Sequence, residues 1–140
     1  MSRVTVGFIK SALIYLGLAV LIGMHLAAGG PDYPFRAVHA HLNLIGWMNM
    51  MIFGVAYHIL PRFSGAPLWS EKLSVWHLWL ANISFIGMLV GWGFMFVDPS
   101  NNKILITFAA LHGISIFMFI VNIFKTLAGR QGQSIGLPCK

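Results

Sequence analysis

The stretch "RAVHAHLNLIGWMN", residues 36–49, opens an apolar segment and carries two histidines separated by one residue. Arg36 precedes His39 by about one helical turn, and Asn43 follows His41 two residues later. Polar side chains in an apolar setting cost free energy unless another group pairs with them. This stretch therefore predicts a bound ligand or a close partner helix.

The composition of the chain is typical of a membrane protein. Of its 140 residues, 58% are hydrophobic and only 9% are charged, whereas about a quarter are charged in soluble domains. The net charge of +6 comes from residues scattered at segment ends, so nucleic acid is not a predicted partner. The single cysteine, Cys139, has no partner for an internal disulfide, and we expect no cleavable signal peptide.

Four apolar stretches are each long enough to cross a hydrocarbon core of roughly 30 Å as a helix. They cover residues 4–28, 38–60, 75–97 and 104–128. The short connections make consecutive spans antiparallel, so we predict an all-α, four-helix transmembrane bundle forming one membrane domain, 1–140. Gly87 and Gly91 form a GxxxG pattern, which predicts close approach of another helix.

Lysine and arginine are distributed unevenly between the two ends of this predicted bundle. One end carries Arg3, Lys10, Arg62, Lys72, Lys125, Arg130 and Lys140, and the other carries Arg36 and Lys103. Because cytoplasmic loops are enriched in these residues, both termini are predicted to lie in the cytoplasm.

Because consecutive spans are antiparallel, the position of each histidine within its span predicts its depth in the membrane. The outer half holds His25, His39, His41 and His112, and the inner side holds His58 and His77. The two inner histidines are predicted to be structural residues at the water interface. His25 and His112 are either ligands or hydrogen-bonded packing residues, and a contact with Asn43 or Asn82 would satisfy His112.

The spacing of His39 and His41 limits what they can bind together. Residues two apart on a helix point about 200° apart, whereas chelation of one small ion needs a spacing of three or four. A zinc site is therefore not predicted, and copper transport is not favoured because no sulfur-rich cluster lies outside the spans. Each histidine can serve a ligand on its own flank, and imidazole is an axial ligand of haem iron.

The longer stretch "RAVHAHLNLIGWMNMMIFGVAYHILPRF" resembles helix two of the catalytic subunit of haem-copper oxidases and nitric oxide reductases. With "IYLGLAVLIGM" and "HLWLANISFIGM", the chain also resembles small four-helix bacterial proteins described as cytochrome oxidase subunit I-like. The resemblance implies one four-helix arc of the large subunit, a bacterial inner membrane and haem b held toward the outer side. The chain lacks the family's His-His dipeptide for copper and any acidic residue within the spans, so neither copper binding nor proton-pumping oxygen reduction is predicted.

The resemblance also suggests roles for individual residues. It implies that His39 and His41 are axial ligands on opposite flanks of the helix. Arg36 would pair with a haem propionate, or it is an ordinary positive residue at a membrane boundary. Asn43 would support the ring edge or a partner helix.

Three functions are compatible with these observations. The first is a haem b protein for electron transfer or for binding nitric oxide or oxygen. The second is a redox-silent accessory or assembly module of a respiratory complex, and the third, least favoured, is a transporter or proton path lined by the outer histidines. For the first we predict a homotrimer in lipid, with His39 of one chain and His41 of the next holding each haem. The rival arrangement is a monomer with His25 or His112 as second ligand, and no catalytic base identifies an enzyme.

Overall fold

The computed structural model of the chain describes residues 1–134, with side chains described to residue 128, so Cys139 lies outside the described part. The helices are α1 (Arg3–Ala27), α2 (Phe35–His41), a π-helical segment (Leu42–Asn49), α3 (Met50–Ser64), α4 (Glu71–Val97) and α5 (Lys103–Ser134). The α2, π-helical and α3 segments are continuous and form one apolar helix, Phe35–Ser64, termed span 2. The described residues thus form four helices long and apolar enough to cross a membrane, which confirms the predicted all-α fold.

Local chemistry fixes where these helices begin and end. The Ser2 hydroxyl accepts a hydrogen bond from the backbone N–H of Thr5 at the start of α1, at 3.1 Å. Ser70 caps α4 in the same way through Leu73, at 3.2 Å. Span 2 ends next to Gly65, whose left-handed φ of 64° terminates α3.

Three helices extend further than their apolar stretches predict, and α5 is one of them because it continues to Ser134 rather than ending at 128. Span 2 begins at Phe35 rather than at 38 and ends at Ser64 rather than at 60, with Pro61 inside α3. A proline in the last turn removes only one backbone donor, so the helix continues to the glycine cap. The α4 helix begins at Glu71 rather than at 75, because its cap is the polar Ser70.

The helices pack as two hairpins, α1 with span 2 and α4 with α5. The GxxxG pattern lies where α4 meets α5. A Cβ added at Gly91 would lie 2.8 Å from the Leu105 Cα, and one added at Gly87 would overlap the ring of Phe108. The two glycines therefore permit the close helix approach that their spacing predicts.

The outer surface of the bundle is strongly apolar. Large hydrophobic side chains that are more than half exposed occur on α1, α4 and α5, among them Ile14, Leu21, Trp76, Phe117 and Phe124. Soluble proteins rarely expose apolar patches that cover whole helices. Such a surface is suited to contact with the hydrocarbon core of a membrane.

Candidate functional site

His39 is half-buried and is tied to the neighbouring helix α1. Its Nδ1 lies 2.9 Å from the carbonyl oxygen of Ala19. Because a carbonyl oxygen only accepts, Nδ1 carries the proton and Nε2 keeps a lone pair. The ring lies against Gly23, where an added Cβ would come within 2.8 Å of Cε1. The absence of a side chain at Gly23 therefore makes room for this imidazole.

His41 faces the other side of span 2. Its Nδ1 lies 2.8 Å from the carbonyl oxygen of Ala37, one turn earlier in its own helix. Its ring centroid lies 5.6 Å from that of Trp92 on α4. None of the described side chains hydrogen-bonds its Nε2. His39 and His41 thus contact α1 and α4 respectively, in keeping with their two-residue spacing.

Asn43 contacts His39 directly. Its amide nitrogen donates to the carbonyl oxygen of His39 at 2.9 Å and lies 3.3 Å from Nε2 of the same residue. An amide nitrogen has no acceptor capacity, so its N–H points at the Nε2 lone pair. Asn43 therefore covers the atom of His39 that a metal would bind.

The π-helical segment Leu42–Asn49 follows the histidine pair immediately. The wider i→i+5 hydrogen bonding of a π-helix changes which residues share a face, and such segments are frequent at functional sites. Within it, a Cβ at Gly46 would lie 2.7 Å from the Tyr15 Cβ and 2.8 Å from the Phe85 ring. Gly46 thus allows span 2 to approach α1 and α4 at one level, just below the histidines.

The other predicted outer residues are less enclosed. Arg36 forms an ion pair with Asp32 at 2.9 Å, and the two side chains are 76% and 70% exposed. His25 is exposed on α1, with its ring centroid 5.0 Å from that of Phe35.

His112 is buried in the interface between α4 and α5. Its Nδ1 lies 3.0 Å from the Ser84 hydroxyl, which in turn lies 3.2 Å from the carbonyl oxygen of Ala81. The suggested contact of His112 with Asn43 or Asn82 is therefore wrong. Asn43 contacts His39, and Asn82 accepts a hydrogen bond from the Tyr15 hydroxyl at 3.0 Å. The Nε2 of His112 is buried without a partner in the described part of the chain.

The expectation that His77 lies at the water interface is also wrong. His77 is fully buried, and its ring centroid lies 4.8 Å from that of Phe8 and 4.7 Å from that of Phe53. Its Nδ1 shares a hydrogen bond of 3.0 Å with the Tyr57 hydroxyl. Because α4 begins at Glu71, His77 lies well inside the helix on its core-facing side.

His77 and His112 belong to a line of buried polar residues along α4 and α5, termed the polar seam. Its members are Ser74, His77, Ser84, His112, Ser115, Asn122 and Thr126. Near one end of the seam, Asn122 accepts a hydrogen bond from the backbone of Ser70 at 3.1 Å and donates one to it at 2.9 Å. In a membrane the hydrophobic effect does not drive helices together, so hydrogen bonds between such polar residues help to stabilise helix packing. The spacing of Ser74, His77 and Ser84 on one helical face is the sequence signal for this seam.

Comparison with known proteins shows that part of the chain is similar to subunits of respiratory oxidoreductases. It is 43% identical over 49 residues to cytochrome c oxidase subunit 1 of Rhodobacter capsulatus, which is 34% of this chain and 9% of that protein. It is 29% identical over 99 residues to a nitric oxide reductase subunit of Stutzerimonas stutzeri, which is 64% of this chain and 20% of that protein. Part of the chain is thus similar to cytochrome c oxidase subunit 1.

The chain is also similar to a cytochrome c oxidase subunit 1 homolog of Agrobacterium tumefaciens, at 37% identity over 49 residues, or 34% of the chain and 9% of that protein. No protein-family model and no solved structure matches the chain. The chain spans a fifth or less of the length of these relatives. Its four long apolar helices, together with this similarity, support a multi-pass membrane protein.

Proposed function

We propose that this chain binds haem b in the outer half of a bacterial inner membrane and serves electron transfer or the binding of a small gas such as nitric oxide or oxygen. The observation that carries the proposal is the state of the two imidazoles of span 2. In both His39 and His41, Nδ1 donates to a backbone carbonyl oxygen that lies 2.8 to 2.9 Å away. The chemistry of this donor set fits haem iron, which binds neutral imidazole.

The second nitrogen of a metal-ligating histidine usually donates to a carbonyl or carboxylate. That hydrogen bond fixes the tautomer, keeps Nε2 free of a proton and holds the ring in one orientation. His39 and His41 meet this requirement through Ala19 and Ala37. When bound, haem would supply one-electron redox chemistry at its iron.

We further propose that the haem lies between neighbouring copies of the chain. Since the two rings face α1 and α4, the histidines of one chain do not converge on one iron. A homotrimer closed by head-to-tail contacts would bring His39 of one chain to His41 of the next, with one haem at each interface. Of the two rival second ligands in a monomer, His112 is enclosed between α4 and α5 with Ser84, which disfavours that arrangement.

Arg36 is available for a haem propionate. Its present partner, Asp32, is exposed, and exposed ion pairs contribute only about 0–1 kcal/mol. A propionate could therefore replace Asp32 at little cost and gain the bidentate geometry that an arginine offers to a carboxylate.

One observation favours a second candidate, a redox-silent accessory module of a respiratory membrane complex. Asn43 occupies the Nε2 lone pair of His39, and Nδ1 of the same ring holds span 2 to α1. With both nitrogens in use, His39 would be a packing residue.

Purification in mild detergent separates these possibilities. We expect a coloured protein whose pyridine haemochrome spectrum is that of haem b, and whose mass in detergent is a trimer with equimolar haem. A haem-loaded monomer would contradict the interface arrangement. A well-folded protein that stays colourless after expression with added haem would support the accessory function instead.

A further inference from the structure

A cavity of about 640 Å³ opens at the end of the bundle where α1 begins, α3 ends and α4 begins. This end cavity is far from the histidine pair, because it adjoins the opposite end of span 2. Its polar lining includes Arg3, His58, Arg62 and Glu71. Its volume is within the range of roughly 300–1,000 Å³ that is usual for small-molecule sites.

The charge in the end cavity is not neutralised by the protein. Within the described part of the chain, the only ion pair joins Arg36 and Asp32. Arg3 and Arg62 therefore form no ion pair with a described carboxylate. Arg62 instead donates from Nη1 to Nε2 of His58 at 2.8 Å. A bond to that lone pair leaves the guanidinium charge uncompensated. With Glu71 as the acidic lining residue, the cavity keeps an excess of positive charge.

The walls of the same cavity are apolar. Val4, Leu68 and Val75 line it together with Pro61, near the end of α3, and Pro67, in the α3–α4 connection. The cavity thus combines two arginines at one end of the four-helix bundle with an apolar part of its lining. An anionic head group joined to a hydrocarbon chain has the same two parts.

We propose that the end cavity binds a phosphate group, and that this phosphate belongs to an anionic phospholipid such as phosphatidylglycerol. Arginine recognises phosphate oxygens through two parallel hydrogen bonds. Basic pockets between membrane helices on the cytoplasmic side hold anionic lipid head groups in this way. The end cavity lies at the end of the bundle that carries most of the lysine and arginine, which is the side predicted to face the cytoplasm.

Native mass spectrometry of the full chain, titrated with phosphatidylglycerol, tests the proposal. We expect Arg3→Gln and Arg62→Gln each to lower retention of the first bound lipid by about tenfold. Arg62→Lys, which keeps the charge but not the fork, should fall between these variants and the wild type. Glu71→Gln should increase retention, because it removes the carboxylate from the cavity.

Lys72→Gln is the matched control, since Lys72 is exposed beside Glu71 and does not line the cavity. Equal losses in Lys72→Gln and Arg62→Gln would overturn the proposal, because general surface charge would then explain lipid retention. Unchanged retention in both arginine variants would overturn the binding of lipid. Calorimetry with inorganic phosphate would then show whether phosphate alone binds the wild type and not Arg62→Gln. That last result would support a phosphate site fed from solution rather than from lipid.

Discussion

His39 donates from Nδ1 to the carbonyl oxygen of Ala19 across 2.9 Å, so one imidazole ties the second membrane helix to the first. The same bond decides the protonation of the ring, because the carbonyl can only accept. Packing of the helices and readiness of His39 for metal binding therefore depend on one hydrogen bond. Variants that move this ring should affect both.

Gly23→Ala should displace His39 without unfolding α1. The added Cβ would lie 2.8 Å from Cε1 and 3.4 Å from Nδ1 of His39, so the ring must shift and its hydrogen bond to Ala19 is disturbed. We expect the haem content of the purified protein to fall several-fold. Gly17→Ala is the control, because no heavy atom lies within 4 Å of a Cβ at that position of the same helix. Equal haem content in the two variants would show that the position of His39 is unimportant for binding.

Asn43→Leu should strengthen haem binding. In the structure the Asn43 amide competes with iron for the Nε2 lone pair of His39. Loss of one hydrogen bond worth about 1 kcal/mol corresponds to roughly a fivefold change in affinity. Haem titration of the apoprotein measures this effect. A weaker affinity in the leucine variant would instead support the expectation from the sequence that Asn43 contacts the porphyrin.

Gly91→Ala should destabilise the α4–α5 hairpin. A Cβ there would lie 2.8 Å from backbone atoms of Leu105, which cannot rotate away as a side chain can. We expect a loss of about 1–3 kcal/mol, which is typical of overpacking, in unfolding experiments in detergent. Gly93→Ala, where an added Cβ meets nothing within 4 Å, should leave stability unchanged or slightly raised. Equal stability of the two variants would contradict this packing.

The sequence predicts the fold better than it predicts the surroundings of the histidines. Span lengths follow from hydropathy, because a hydrocarbon core accepts only long apolar helices. The burial of His77 does not follow, since depth along a helix says nothing about which face meets the core. The π-helical segment after His41 is also absent from the pattern, because a change in hydrogen-bond register leaves the apolar periodicity nearly intact.

The hydrogen-bond partners of the histidines cannot be predicted from the sequence, for a related physical reason. His39 and His112 bond to Ala19 and Ser84 on other helices, and the rotation of each helix sets those pairings. By contrast, the divergence of His39 and His41 is a property of one helix. It could therefore be predicted from their spacing alone.

The membrane orientation is a prediction that rests on charge. Seven lysines and arginines lie on the side of the two termini and two lie on the other, which predicts that both termini are cytoplasmic. A fluorescent-protein fusion at the C-terminus should fold and fluoresce in the cytoplasm. An active alkaline phosphatase fusion at the same position would place the terminus outside and contradict the orientation.

The absorption spectrum of single-histidine variants tests the proposed haem ligation most directly. Removing either axial ligand of a six-coordinate haem leaves the iron five-coordinate or unbound, so His39→Ala and His41→Ala should each lose the low-spin spectrum. His58→Ala is the control, because His58 lies near the other end of span 2 and bonds to Arg62. His77→Ala is unsuitable as a control, since His77 is fully buried in the core. Low-spin spectra that persist in both the His39 and His41 variants but are lost in His58→Ala would place the haem at the other end of the bundle and contradict the proposal.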